Sequence, residues 1–140
     1  MHQITRSAEL TSLPEFRKYI NLACSHHSGI DKQITYDLQL AVDEACTNII
    51  THGYQGMNPG SIILSLEFKG AYIEVTITDF GHAFEPIQTP APDLEAGLED
   101  RPTGGFGLYF IYQTMDEIEY TTNPYGNRLT FIKKLESAVG

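Results

Sequence analysis

The chain has 140 residues, 41% of them hydrophobic and 19% charged, with 12 Gly and 7 Pro. That composition excludes a disordered, collagenous or low-complexity polypeptide and suits one domain, residues 1–140, around one core. Nine Lys and Arg against eighteen Asp and Glu leave a net charge of −9, which repels a polyphosphate backbone and argues against direct binding of DNA or RNA. Apolar runs such as Ile62 to Leu64 and Leu108 to Ile111 fall far short of the roughly 20 residues a membrane-spanning helix needs. Met1 to Arg6 shows no export signal, so a cytoplasmic protein without a membrane partner is expected.

A short strand near Gln3 to Ser7 opens the chain. Ser12 followed by Glu15 is a capping-box pattern, and Leu13, Phe16, Ile20, Ala23 and Cys24 then recur at helical spacing, which predicts a first helix ending before Ser28-Gly29. Ile34, Leu38, Ala41, Val42, Ala45 and Ile49 predict a longer second helix from about Lys32 to His52, stopped by Gly53. Cys24 and Cys46 fall inside these helices without a second Cys or His at metal-ligand spacing, and read as reduced packing residues.

Two β-rich runs follow, Ser61 to Phe68 and Tyr72 to Asp79, joined by Lys69-Gly70-Ala71 as a tight hairpin. Residues 85–107 carry four of the seven prolines and four glycines in no regular period. A structureless stretch of that length reads either as a lid over a binding site or as a surface insertion. Leu108, Ile111, Tyr112 and Met115 predict a third helix starting at Gly104 to Gly107, and a second hairpin pairs about Glu117 to Thr122 with Arg128 to Lys134. The order β, α, α, β, β, loop, α, β, β predicts an α+β two-layer sandwich, with helices on one face of a mixed, mostly antiparallel sheet.

Three groups of residues carry candidate chemistry. On the second helix Glu44 and Asn48 stand one turn apart beside the apolar stripe, where a carboxylate can accept a proton and an amide can offer an oxygen to a hard cation. Glu and Asn at that spacing are also common on solvated faces. Asp79 continues the inward parity of Ile73, Val75 and Ile77, so an acid follows three core positions. It reads either as an acceptor for the exocyclic amine of adenine, with Gly81 permitting close approach and Ala83 and Phe84 as walls, or as the cap of the next turn. Gly104-Gly105-Phe106-Gly107-Leu108 opens the third helix either as a phosphate cradle or as a hinge closing the loop.

Taken in order, Glu44 to Asn48, Asp79 to Gly81 and Gly105-Phe106-Gly107 resemble the N box and the two glycine boxes of the GHKL ATPase superfamily of gyrase, heat-shock chaperones, sensor histidine kinases and mismatch-repair ATPases. The run Leu40-Ala41-Val42-Asp43-Glu44-Ala45-Cys46-Thr47-Asn48-Ile49-Ile50-Thr51-His52-Gly53-Tyr54 is similar to the signature of its anti-sigma-factor serine kinases. The resemblance covers nearly the whole chain.

It implies a histidine kinase-like ATPase fold that binds ATP with Mg2+ under a lid at about 85–107. By resemblance Glu44 is the general base, Asn48 holds Mg2+, and Asp79 binds the adenine amine with Gly81 and Ala83 beside it. Gly104, Gly105, Gly107 and Leu108 meet the phosphates. Arg101, the only cation of the loop, either covers the γ-phosphate on closure or forms a surface ion pair. The loop departs from an ideal lid in carrying Glu85, Asp93, Glu95, Glu99 and Asp100, which work against a triphosphate. Asn127 stands where relatives often carry Thr, and Thr130 reads either as the residue serving adenine instead or as an ordinary strand position. His52 matches the signature and also suits packing at a helix end.

The function implied is that of an ATP-dependent serine protein kinase and anti-sigma regulatory factor. It would phosphorylate a serine on an anti-anti-sigma antagonist of the STAS type and sequester a sigma factor, as a possible homodimer. The alternative is an ATP/ADP-binding partner switch without significant kinase chemistry. A detached ATPase half of a sensor histidine kinase ranks last, because no phosphoacceptor hairpin is expected before the domain and Ala83 stands where a glycine is common.

Overall fold

Helical periodicity and strand alternation set the layers, and the computed structural model describes them over residues 2–83 and 109–135. The first strand, β1, is His2–Ser7. A 3-10 turn at Leu10–Ser12 runs directly into helix α1, Leu13–Ser25, with Pro14 in its first turn. The expected capping box is not made. Ser12 already has helical dihedrals (φ −81°, ψ −18°) and makes no cap hydrogen bond. Its N–H is taken by the Glu9 carbonyl at 2.9 Å, so the preceding turn has replaced the cap. Glu15 instead pairs with Arg6 on β1 at 2.9 Å.

Helix α2, Lys32–Asn48, is opened by Asp31, whose side chain accepts the Ile34 N–H at 2.8 Å. A cap of this kind is worth about 1 kcal/mol. The α-helix ends four residues before the expected boundary at His52. Ile49–Gly53 form a π-helical turn, in which Tyr54 N–H reaches back to the Ile49 carbonyl at 3.2 Å. Such widened turns occur frequently at functional sites. Gly53 is not in the left-handed conformation of a usual helix-ending glycine; its missing side chain serves close packing instead, as described below.

Strands β2 (Ser61–Phe68) and β3 (Tyr72–Asp79) fall at their predicted bounds, and Gly70 takes φ +70° in the connecting turn, which a side chain would strain. Helix α3 is short, Tyr109–Thr114, and the last hairpin pairs β4 (Glu117–Asn123) with β5 (Gly126–Lys134). The sheet order is β1-β2-β3-β5-β4, antiparallel at every pairing.

Alternation decides the faces. Ile62, Leu64 and Leu66 of β2, Ile73, Val75 and Ile77 of β3, and Leu129 and Phe131 of β5 are buried. They share one core with Phe16 and Ile20 of α1, Leu38, Val42 and Ala45 of α2, and Ile111 of α3. Each fully buried side chain of this size contributes about 1.5–3 kcal/mol of transfer free energy. Cys24 and Cys46 are buried free thiols in the same core; burial pushes the Cys46 thiol far up, with the charges of Asp43 and Asp79 adding to it. The opposite face of the sheet carries alternating polar residues. An open groove of about 600 Å³ there is lined by Thr76, Thr78, Arg128, Phe80 and Tyr125.

Candidate nucleotide site

The site grows from the C-terminal half of α2. Of the two adjacent acids, Asp43 turns toward α1 and pairs with Arg17 at 2.8 Å, whereas Glu44 turns toward α3 and its Oε1 accepts the Ile111 N–H at 3.3 Å. One turn on, Asn48 is buried, so the solvated-face reading of that position is excluded. A buried amide is kept only where its polar atoms are engaged, and Asn48 does have an interaction partner.

The π-helical turn carries the chain from Asn48 to Gly53, which lies against the end of β3. A Cβ on Gly53 would stand 3.8 Å from Asp79 Oδ1, and one on Gly81 would reach 2.6 Å from the Gly53 carbonyl carbon. Only glycine permits that approach at Gly81. The His82 N–H closes it by donating to the Gly53 carbonyl.

Asp79 ends β3 on the core face and is 2% exposed. Its Oδ1 accepts from Gly81 N–H at 2.9 Å and from Asn127 Nδ2 at 3.0 Å. The bond to Gly81 is the turn cap that the sequence left open as an alternative, so one carboxylate both caps its turn and faces the helix end. Burial pushes the Asp79 carboxyl above the usual carboxylate range, while the bonds from Asn127 and Gly81 act in the opposite direction. The Gly81 and Asn127 donors are neutral amides, an arrangement that holds an anion in place as an acceptor without neutralising it.

Asn127 is the residue beside Asp79 that sequence reasoning missed. It faces Asp79 across the β3/β5 ladder and donates from Nδ2 both to Asp79 Oδ1 and to the Gly81 carbonyl, each at 3.0 Å. Its Oδ1 accepts the Thr122 hydroxyl at 2.6 Å. The signal available in the sequence was its position after Gly126, opposite in parity to Thr130. Tyr54, the last residue of the signature run, joins two strands. Its hydroxyl donates to the Ser61 carbonyl at 2.8 Å and accepts the Phe80 N–H at 2.9 Å, tying the start of β2 to the residue after Asp79.

Thr130 lies on the other face of the sheet. It pairs with Thr76 in the register, with the two hydroxyl oxygens 3.5 Å apart. Three residues beyond Asn127, it has the opposite parity and faces away from the Asp79 carboxylate. Ala83 is exposed just beyond Gly81. Phe84, Arg101, Gly104, Gly105, Gly107 and Leu108, and the proposed lid at 85–107, lie outside the described residues. The structure thus joins Gly53, Asp79 and Gly81 at one strand end, and the helix that bears Glu44 and Asn48 leads into Gly53 through the π-helical turn.

Residues 6–133 match the histidine kinase-like ATPase domain family. The serine/threonine-protein kinase BtrW of Bordetella bronchiseptica is 32% identical over 98 residues, 70% of this chain and 69% of its own length. The serine-protein kinase RsbW of Oceanobacillus iheyensis is 30% identical over 124 residues, 81% of this chain and 78% of its own. The anti-sigma F factor of Halalkalibacterium halodurans is 30% identical over 105 residues, 70% and 67% of the two chains.

Among solved structures, the RsbU and RsbW domains of a Mycobacterium tuberculosis protein superpose with a TM-score of 0.68 at 14% identity, covering 96% of this chain and 33% of that chain. That likeness is one of fold, and this chain spans about a third of that protein. The chain belongs to the histidine kinase-like ATPase family and, within it, to the branch of serine-protein kinases and anti-sigma factors. Its enzyme class is that of an ATP-dependent protein serine/threonine kinase, and it is a nucleotide-binding domain.

Proposed function

We propose that the chain binds ATP with its base against Asp79 and transfers the γ-phosphoryl group to a serine hydroxyl of a small antagonist protein, thereby controlling its hold on a sigma factor. The observation that carries this reading is the Asp79 carboxylate. It is buried and oriented by Asn127 and Gly81, and it is packed against the end of the helix that bears Glu44 and Asn48.

Asp79 accepts the exocyclic amine of adenine, and the close packing of Gly81 on Gly53 keeps that side of the base free of side chains. Glu44 takes the proton from the incoming serine hydroxyl as the new bond to phosphorus forms, and its orientation is held by the Ile111 N–H. Gly104, Gly105, Gly107 and Leu108, which precede α3 in the chain, offer backbone N–H groups to the phosphates, and Arg101 covers the γ-phosphate. Positioning and charge stabilisation supply most of the acceleration in such a transfer.

Mg2+ fits the residues present. Asn48 supplies a buried amide oxygen, and the described residues include no cluster of three or more His, Cys, Asp or Glu able to hold a metal, so the ion would take most of its oxygens from nucleotide and water. When bound it would neutralise charge developing on the phosphates. No helix among the described residues is long and apolar enough to cross a membrane; the reading places the protein in the cytoplasm.

The test is incubation with ATP labelled on its γ-phosphate and a STAS-type antagonist, for the wild-type chain and Glu44→Ala. Label on a serine of the antagonist with the wild type and its loss in Glu44→Ala at ATP affinity within a few-fold is the expected result. Tight ATP binding with no transfer by the wild type would replace the kinase by a nucleotide-dependent partner switch.

A further inference from the structure

A helix of six residues does not hold its own place in water. Helix α3 therefore sits where its tethers put it, and both of its ends are tethered along α2. At the N-terminal end the Ile111 N–H meets Glu44 Oε1 at 3.3 Å. At the C-terminal end the Thr114 carbonyl accepts Lys133 Nζ at 2.7 Å, and the same Nζ lies 3.8 Å from Asp37 Oδ2. Asp37 is in turn fixed by Gln33 Nε2, which donates to its Oδ1 at 2.9 Å.

Asp37 and Glu44 are two turns apart on α2, about 10 Å, whereas Ile111 and Thr114 are about 4.5 Å apart along α3; the Lys133 side chain spans the difference, and α3 packs on α2 with its C-terminal end on the Asp37 side. Between the tethers the Ile111 side chain is fully buried in the core. Lys133 is not a solvated surface lysine: it ends the inward-facing row of β5 after Phe131, opposite Ile73, and only a fifth of its side chain is exposed. A cation there also complements the C-terminal end of the helix.

We propose that Lys133 is a positioning residue for Glu44. By clamping the Thr114 carbonyl against Asp37 it fixes the place of α3, and α3 presents the Ile111 N–H that orients the carboxylate. The inference rests on the reading of Glu44 as general base, but its mechanical part can be measured without any chemistry.

The experiment is amide hydrogen exchange by NMR on the full chain, wild type and Lys133→Met, with Lys133→Arg as rescue and Glu44→Gln as control, alongside ADP release from Mg-ATP. Losing a hydrogen bond to a charged group opens a local contact about tenfold or more. In Lys133→Met, Ile111 exchange is expected to accelerate by at least about that factor, with Val75 in the central strand unchanged. ADP release should fall about tenfold, since misplacement of a catalytic group is felt in rate, at unchanged ATP affinity. Lys133→Arg restores both, and Glu44→Gln accelerates Ile111 exchange with Val75 unchanged while abolishing ADP release through loss of the base.

Ile111 exchange unchanged in Lys133→Met, or accelerated in step with Val75, overturns the clamp. Should Lys133→Met fail to fold, Asp37→Asn is read by the same criterion. A wild-type chain that consumes no ATP overturns the kinase reading alone, while the exchange data still decide the clamp.

Discussion

Asn127 stands across the strand ladder from Asp79 and holds one carboxylate oxygen and the Gly81 carbonyl with the same amide nitrogen, each at 3.0 Å. A threonine hydroxyl, frequent at this place in relatives by the resemblance noted above, has a single proton to donate and could not make both bonds at once. Asn127→Thr is therefore expected to keep the fold and weaken ATP binding several-fold. Asn127→Ala leaves a buried carboxylate oxygen and a backbone carbonyl each short of a donor, at a cost of about 1–3 kcal/mol per group. Urea denaturation and ATP titration of the two variants measure both effects; equal stability of Asn127→Ala and wild type would deny Asn127 this role.

Asp79 gives a pH prediction. Its folded value is raised by burial, so between its ordinary value and the raised one the native state binds more protons than the unfolded state. Stability therefore falls as pH rises through that acidic window, and the loss persists above it. Asp79→Asn removes this slope and should be at least as stable as wild type near neutrality while binding adenine nucleotides far more weakly. Thermal unfolding of both proteins across the acidic range checks the sign. A wild-type stability that rises through the window and drops out in Asp79→Asn would mean that the carboxylate is held below its ordinary value.

Tyr54→Phe keeps the ring and removes the hydroxyl that joins Ser61 and Phe80. Two backbone groups lose a partner, so a loss of about 2 kcal/mol is expected, with weaker nucleotide binding because Phe80 follows Asp79. Chemical denaturation paired with nucleotide titration separates this from a change confined to stability.

Gly81→Ala drives a Cβ into the Gly53 backbone, and neither chain can yield without moving a strand end or a helix end. Destabilisation of about 1–3 kcal/mol is expected from the overpacking, together with loss of ATP binding. Gly70→Ala is the control, because nothing lies within 4 Å of a Cβ there. It strains a left-handed turn remote from the site and should leave nucleotide affinity intact.

The strands and helices were legible where alternation or helical spacing was regular, as in Ile73, Val75, Ile77 and Asp79, whose common face the structure reproduces. Local signatures failed where neighbours supplied the same hydrogen bond by another route. Ser12 has the right sequence for a cap, but its N–H already belongs to the Glu9 turn. The place of Asn127 was illegible for a different reason. Whether Asn127 or Thr130 faces Asp79 depends on the register between strands separated by some fifty residues, and one residue of slip exchanges the faces. The division between Asp43 and Glu44 likewise needed the positions of Arg17 and Ile111, which no spacing on α2 reveals.

The most direct measurement of the central claim is calorimetric titration of wild type and Asp79→Asn with ATP and with GTP in the presence of Mg2+. The account predicts saturable ATP binding by the wild type, much weaker GTP binding, and a selective loss of ATP affinity in Asp79→Asn. Binding that is absent, or equal for the two nucleotides and untouched by the substitution, would contradict it.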